Sequence, residues 1–200
     1  ITRGAECGMN HDAISTEQST GAMPAADPSE VGPYAVTGER YYIDTTKINQ
    51  KTLKGRELYE TAPKLLARFL SDRVIVAMDG TGLASTNLVY HMHCDSVGYF
   101  CGLLSSNLLS FWYMTAFQTE EEVYPHVQKS HLEALPIKAP PSDPSADNDT
   151  LNRLRNPDDP ASLLAEIPDE ELKRCIPALV DRAKATIEER DTITLSLLDY

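Results

Sequence analysis

The chain has 200 residues, of which 42% are hydrophobic, and a formal net charge of −12 at pH 7. This length and apolar content are enough to bury one core, with room for an appended subdomain. The negative charge argues against a general coat for nucleic acids and against a binder of anionic membranes. No apolar run approaches the roughly 20 residues that a membrane span needs, so we expect a soluble protein with no membrane partner.

The first residue and the cysteines indicate the origin of the chain and its redox environment. The chain begins at Ile1 rather than at a methionine, and we expect it to be part of a longer polypeptide. Its cysteines, at positions 7, 94, 101 and 175, show no close pairing pattern. Such spacing favours free thiols in a reducing cytoplasm over a disulfide scaffold.

The first 60 residues predict short strands joined by long connections. Residues 1–14 contain two glycines around a short mixed segment, which is typical of a strand and a turn. Residues 15–32 are rich in Ser, Thr, Ala, Pro and Gly and predict a long surface loop. Residues 40–44 combine aromatic and β-branched side chains and predict a strand. Residues 47–57 are polar and turn-like.

The next segment predicts a helix followed by a β-hairpin. Pro63 suits the first turn of a short helix over the KLLARFL segment. Residues 73–78 form an apolar run and predict a buried strand, which the turn sequence at residues 79–82 ends. Residues 86–94 predict a second strand, and we expect the two strands to pair as a hairpin.

The most apolar part of the chain lies between residues 97 and 137. Apolar residues recur there at helical spacing, which predicts a central helix over residues 103–114. Residues 139–148 are rich in Pro, Ser and Asp and predict a linker before a C-terminal helical extension at residues 149–200. Its clearest helix runs from about residue 169 to residue 191, and Pro177 predicts a kink or two shorter helices.

These elements together predict an α+β fold. We expect a curved mixed or antiparallel sheet, a central packed helix, long loops and a C-terminal helical extension. Varying loops on a fixed sheet change what a domain recognises without refolding its core. The loop at residues 15–32 and the turn at residues 80–85 are therefore candidate reading elements.

Two clusters invite a chemical interpretation, and each has a simpler one. His91 and His93 point to one face of the predicted strand and Cys94 to the other, so at most two metal ligands converge, and packing explains them better. Asp79-Gly80-Thr81-Gly82 lacks the Gly-Lys-Ser/Thr of a phosphate-binding loop and fits a hairpin turn. No catalytic motif occurs, so we expect neither a catalytic residue nor a metal site in this chain.

Several cationic side chains have two possible interpretations. Arg68 and Arg73 bracket a predicted turn, and Lys129 lies between His126 and His131 just beyond the central helix. They are either solvated surface charges or contacts to a polyanion, in which Lys and Arg hold phosphates. Their spacing alone leaves both possibilities open.

Six short segments, in order, resemble a known family. They are RGxxxGxN at residues 3–10, TGxxYY at 37–42, PKLLxR at 63–68, NLVY at 87–90, GLLSSNLL at 102–109 and YPxxxKxxLxxLPI at 124–137. Together they resemble the TaqI-like C-terminal specificity domain, which is the target-recognition domain of N6-adenine DNA methyltransferases and type IIG restriction-modification enzymes. The resemblance covers residues 1–138.

The resemblance implies a DNA sequence-recognition module of a restriction-modification or phage-defence system. It implies double-stranded DNA and an N-terminal methyltransferase domain of the same polypeptide as partners. That domain would bind S-adenosylmethionine, and its Asn-Pro-Pro-Tyr motif is not in this chain, so the fragment is not catalytic by itself. The side chains expected to contact DNA are Arg3, Asn10, Arg40, Lys64, Arg68, Arg73, His126, Lys129 and His131.

The acidic balance supports an alternative. Residues 1–138 carry 11 basic and 16 acidic residues, and residues 139–200 carry 7 and 14. A DNA-binding module usually gains much of its affinity by neutralising phosphates. The alternative is therefore a protein-protein interaction module that docks the methyltransferase to another subunit.

Overall fold

The computed structural model describes residues 1–37, 41–48, 55–117, 125–141, 150 and 167–188. Arg40, most of the predicted linker and most of the predicted extension before residue 167 lie outside these ranges. The described residues form antiparallel sheets and helices, which confirms the predicted α+β class. The strands are β1 (Thr2–Arg3), β2 (Ile14–Ser15), β3 (Met23–Ala25), β4 (Tyr41–Ile43), β5 (Lys64–Arg68), β6 (Val76–Asp79) and β7 (Val89–Met92); the helices are α1 (Arg56–Glu60), α2 (Val97–Leu104), α3 (Asn107–Phe117), α4 (Lys129–Glu133) and α5 (Asp169–Glu188).

The first sheet has the strand order β1-β7-β5-β6, and all its pairs are antiparallel. The helix predicted after Pro63 is wrong, because this segment is strand β5. The predicted hairpin of β6 and β7 is also wrong, since β5 lies between them and pairs with both. Leu65 and Ala67 belong to the core cluster on one face of the sheet, and Leu66 belongs to the cluster on the other face. A strand buried on both faces reads as a continuous apolar run, which resembles a short buried helix in sequence.

The second sheet has the order β2-β4-β3 and is also antiparallel. Its strand β3 lies inside the segment predicted as a long loop, as does a 3-10 helix at Pro28–Glu30. Met23, Ala25 and Ala26 of this segment are at most 1% exposed. Residues 15–21 are exposed, as the prediction of a surface loop requires, whereas residues 23–32 are a structural part of the domain.

The predicted central helix is broken into α2 and α3. Ser105 ends α2, and its hydroxyl donates to the carbonyl oxygen of Val76 on the neighbouring strand β6 at 3.0 Å. This bond holds the residue between the two helices against strand β6. Most of the buried residues of both helices join the core cluster on one face of the first sheet.

Helix α5 packs against α2 through two glycines. A Cβ at Gly98 would lie 3.1 Å from Pro177, and one at Gly102 would lie 2.4 Å from Ile176. Side chains longer than hydrogen at these positions would separate the two helices. Pro177 lies inside α5, which continues as one helix. No helix in the described ranges is long and apolar enough to cross a membrane.

Candidate nucleic-acid interface

One end of the first sheet brings three separate chain segments together. The backbone N–H of Phe69, just after β5, donates to the carbonyl oxygen of Leu88 at 2.8 Å. The Phe69 carbonyl oxygen accepts from the N–H of Val127 at 2.7 Å, and Leu70 forms an antiparallel bridge with His126. These bonds place the segment that precedes α4 directly beside the end of β5.

Arg3 lies over this junction. Its guanidinium carbon is 4.1 Å from the centre of the Phe69 ring and 6.0 Å from that of Tyr90. Its Nε also donates to the carbonyl oxygen of Asn87 at 2.9 Å. A guanidinium that stacks on an aromatic face keeps its charge and its remaining N–H groups accessible. Arg3 is exposed, so these groups face solvent.

His126 also lies beside Phe69, and Lys129 is close to it along the chain. The His126 ring centre is 5.1 Å from that of Phe69, and Lys129 follows three residues later as the first residue of α4. The Lys129 ammonium is 3.5 Å from the Glu133 carboxylate, and both side chains are about half exposed. An exposed ion pair of this kind contributes little stability, so the ammonium can exchange its partner for a phosphate.

Arg68 and Arg73 complete the positive charge at this end. Arg68 is the last residue of β5, and Arg73 lies in the connection between β5 and β6, which turns at the same end of the sheet. Arg73 is exposed and Arg68 is partly buried. We call this surface the basic end, and define it by Arg3, Arg68, Arg73, His126 and Lys129.

A cavity of about 340 Å³ opens beside Arg68. Arg68 Nε donates to the carbonyl oxygen of Pro28 at 2.8 Å, and Arg68 Nη2 donates to that of Ser29. Asp27 also lines the cavity, and the Ser29 hydroxyl donates to its Oδ1 at 2.6 Å. The apolar walls come from Met9, Leu70 and Leu88.

Lys64 does not belong to this surface, and its predicted contact with DNA is wrong. It lies at the opposite end of β5 and is fully buried. Its ammonium is 2.5 Å from Asp79 and 2.6 Å from the Tyr59 carbonyl oxygen. A cation enclosed in this way cannot reach a phosphate.

The remaining predicted contacts are spread more widely. Asn10 is exposed in a turn near Met9, a cavity residue. The His131 ring stacks on Phe117 at 4.2 Å between ring centres, which fixes α4 to α3 rather than presenting the ring to a ligand. Arg40 lies outside the described residues.

Only the start of the turn at residues 80–85 is exposed, at Gly80 and Thr81, and the rest of this candidate reading element is buried. Leu83, Ala84 and Ser85 are at most 2% exposed, because the segment packs between the two sheets. Ser85 Oγ lies 2.7 Å from His91 Nε2, and burial lowers the pKa of His91 to about 3, so the ring is neutral. In the described ranges no group of three or more His, Cys, Asp or Glu side chains is placed to hold a metal ion.

Sequence reasoning missed Asp27, Phe69 and Tyr90. Asp27 precedes Pro-Ser in a segment whose composition predicts only a loop. It lies about 40 positions from Arg68 in the sequence, so no local pattern indicates that the two residues line one cavity. Phe69 was assigned to a helix. The adjacent Arg-Phe pair at the end of an apolar run is the local signal that could have indicated a cation and an aromatic group at a strand end.

Comparison with known families agrees with this geometry. A family model described as the TaqI-like C-terminal specificity domain matches residues 24–137, which is more than half of the chain. The match runs from β3 to the end of α4 and includes Arg68, Phe69 and Lys129, whereas Arg3 and α5 lie outside it. A search of curated proteins gave no match. The chain therefore belongs to the family of TaqI-like C-terminal specificity domains, which indicates DNA target recognition in a methyltransferase-type system.

Proposed function

We propose that this chain reads a short sequence in duplex DNA through its basic end, for a site-specific N6-adenine DNA methyltransferase. The observation that carries the proposal is that Arg3 and His126 both contact the Phe69 ring, at the end of the sheet where Arg68 and Arg73 also lie. Arginine side chains from distant parts of the chain meet at this end, although the chain as a whole is strongly acidic. Such local concentration of positive charge is what phosphate contact requires.

The distribution of acidic groups is compatible with this proposal. Helix α5, whose first turn is acidic at residues 169–171, packs against α2 on the helix-covered face of the sheet. The basic end lies at one end of the strands of the same sheet. The acidic total therefore does not describe the surface that DNA would meet.

The catalytic partner follows from the same proposal. We assign methyl transfer to an N-terminal domain of the same polypeptide, which would bind S-adenosylmethionine. The system would be a restriction-modification or phage-defence system in the cytoplasm. This chain would contribute the sequence preference and no catalytic side chain.

The proposal is tested by the salt dependence of duplex binding. The affinity of the chain for a labelled duplex, measured by fluorescence anisotropy at several salt concentrations, should fall with a log–log slope of about −3 or steeper, because each neutralised phosphate adds about −0.9. Arg3→Ala, Arg73→Ala and Lys129→Ala should each make the slope shallower by about 1 for all duplexes alike.

Lys138→Ala provides the matched control. Lys138 is exposed and 3.3 Å from Asp169 of α5, away from the basic end. Its removal should leave the slope unchanged. Equal slopes for Lys129→Ala and Lys138→Ala would remove Lys129 from the interface, and salt-insensitive binding by the wild-type chain would contradict the proposal as a whole.

A second candidate function is supported by the outer face of α3. Leu108 is 76% exposed, Phe111 is 68% exposed and Met114 is 42% exposed, and no charged residue occurs in α3. A contiguous exposed apolar face is typical of a protein interface. We propose that this face docks the catalytic domain of the methyltransferase, which would make the chain an interaction module.

The two candidate functions predict different effects for the same two variants. Phe111→Ser should weaken association with a methyltransferase catalytic domain supplied in trans, measured by calorimetry, without changing the salt slope for duplex DNA. Lys129→Ala should have the opposite pattern. Loss of duplex binding in Phe111→Ser, with folding intact, would instead place α3 in the DNA interface.

A further inference from the structure

The cavity at the basic end has a donor group that is held in place. An arginine has five N–H donors in a rigid fork. Two backbone carbonyl groups, those of Pro28 and Ser29, hold Nε and Nη2 of Arg68. The described residues leave its other N–H groups unused, including the pair at the end of the fork. Because the guanidinium is already ordered, a ligand that uses this pair loses little side-chain entropy.

An acceptor group lines the same cavity. Asp27 Oδ1 accepts from the backbone N–H of Ser29 at 2.8 Å and from its hydroxyl at 2.6 Å. No described residue donates to Oδ2. Because both bonds hold Oδ1, the carboxylate cannot rotate freely about its bond to Cβ, and the position of Oδ2 is fixed as well. The cavity therefore offers two donors from Arg68 and one acceptor from Asp27, in fixed positions.

Resting on the proposed function, we infer that this cavity reads one G·C base pair in the major groove. Guanine presents two acceptors there, N7 and O6, and cytosine presents one donor, its N4 amino group. Arg68 donates to the guanine, and Asp27 accepts from the cytosine. An A·T pair would place its N6 amino group against Arg68 and its O4 against the Asp27 carboxylate. Both contacts would then be repulsive, so the two residues determine specificity together.

The apolar walls have a part in the same selection. Met9, Leu70 and Leu88 surround the polar groups, and Leu70 is 51% exposed. Apolar walls exclude water from the edge of the base pair, and hydrogen bonds gain strength where water is excluded. A phosphate, in contrast, would bring its charge next to the Asp27 carboxylate. The cavity thus suits a base edge better than a backbone contact.

The inference is tested by atomic substitution in the DNA. The wild-type chain is first used to select a preferred site from a duplex library with a randomised core. Each guanine of that site is then replaced by 7-deazaguanine, which lacks only the N7 acceptor. We expect one position at which this change weakens binding about tenfold, which is the effect of losing one charge-assisted hydrogen bond.

Two variants connect that position to the cavity. Arg68→Lys keeps the charge but loses the fork, so 7-deazaguanine at this position should weaken binding by this variant less than about twofold. Asp27→Ala should lower the preference for G·C over A·T at this pair about tenfold, and at no other pair. Since Asp27→Ala leaves Arg68 intact, it still tests the inference where Arg68→Lys is poorly folded.

The outcomes separate the inference from the proposed function. A preferred site without a G·C pair, or a 7-deazaguanine effect that is equal in the wild type and in Arg68→Lys, would overturn the inference and leave DNA recognition standing. Absence of duplex binding by the wild-type chain at low salt would overturn both.

Discussion

Lys64 and Asp79 form a buried ion pair across two neighbouring strands, with 2.5 Å between Nζ and Oδ2. Both side chains are at most 1% exposed. Asp79 also accepts from the backbone N–H groups of Thr81 and Leu83 at 2.8 and 2.7 Å. Burial by itself raises the pKa of Asp79, but Lys64 and these N–H groups outweigh burial and lower it. The pair therefore holds together the end of β5 and β6 that lies opposite the basic end.

We expect Asp79→Asn to lower the free energy of unfolding by about 3–5 kcal/mol, because it leaves the Lys64 ammonium buried without a counter-charge. Urea unfolding followed by circular dichroism measures this loss. The double variant Lys64→Met/Asp79→Asn should lose less than Asp79→Asn, since no charge is then buried. Lys138→Met removes an exposed ion pair and should change the stability by at most about 0.5 kcal/mol. Similar losses for Asp79→Asn and Lys138→Met would show that the buried pair is not energetically important.

This pair also shows why the sequence predicted Lys64 wrongly. Lysine is usually exposed, and the neighbouring Pro63 suggested a helix start. The partner Asp79 lies 15 positions further along, in what reads as a simple turn. Only the antiparallel pairing of β5 with β6 brings the two charges together. The register of that pairing cannot be read from the residues around either charge.

The fold class was predictable from the sequence, and the strand order was not. Apolar runs bounded by turn residues indicated the strands β6 and β7 correctly. Their separation by β5 depends on tertiary contacts, since β5 is buried on both faces and lacks the alternation of a strand with one exposed face. At the basic end, Arg68, His126 and Lys129 were predicted from the family resemblance. The cavity was not, because Asp27 and Arg68 meet only in the folded chain.

The buried histidine His91 predicts a dependence of stability on pH. Burial and, after it, the charges of Lys64 and His93 lower its pKa to about 3, although Asp79 acts in the opposite direction. Between its ordinary value of 6.5 and about 3, the unfolded chain binds a proton at this site and the folded chain does not. Stability should therefore fall as the pH falls through this range, by about 1.4 kcal/mol per pH unit from this group.

Between pH 6.5 and pH 5 the His91 contribution amounts to a loss of about 2 kcal/mol. Urea unfolding at a series of pH values measures it. His91→Gln removes the titrating group and keeps a side chain able to bond Ser85, so its stability should depend less steeply on pH in this range. An equal slope in the wild type and in the variant would assign the acid sensitivity to other groups.

The contact between α2 and α5 should be sensitive to one methyl group. A Cβ at Gly102 would lie 2.4 Å from Cγ2 of Ile176 and 3.0 Å from Cγ2 of Val180. Overpacking of this kind costs about 1–3 kcal/mol, whereas Ala favours a helix over Gly by about 1 kcal/mol. We expect Gly102→Ala to be net destabilising, by up to about 2 kcal/mol in urea unfolding.

Two further variants separate the steric cost from the helix propensity. In an Ile176→Ala background the nearest clash is absent, so adding Gly102→Ala should be neutral or stabilising. Gly8→Ala, at a position where a Cβ meets nothing within 4 Å, should change the stability by less than about 0.5 kcal/mol. If Gly102→Ala destabilises equally in both backgrounds, Ile176 is not the residue that limits the approach of the helices.

Phe69 should control the orientation of Arg3 at the basic end. Its ring lies 4.1 Å from the Arg3 guanidinium carbon and 5.1 Å from the His126 ring centre, so one aromatic side chain contacts both groups. Leu keeps apolar volume at this position but has no aromatic face. An exposed cation–π contact contributes about 0.5–1 kcal/mol. If Arg3 must be held over the ring to reach a phosphate, Phe69→Leu should weaken duplex binding about two- to fivefold.

Phe69→Tyr keeps the ring and serves as the control, with binding within about twofold of the wild type. The variants Arg3→Ala and Phe69→Leu/Arg3→Ala complete a double-mutant cycle measured by anisotropy at one salt concentration. We expect the effect of Phe69→Leu to be small once Arg3 is absent, because the ring then has no guanidinium to position. Additive effects of the two changes would show that Phe69 acts on His126 or on the fold rather than through Arg3, and thermal unfolding of Phe69→Leu distinguishes these two possibilities.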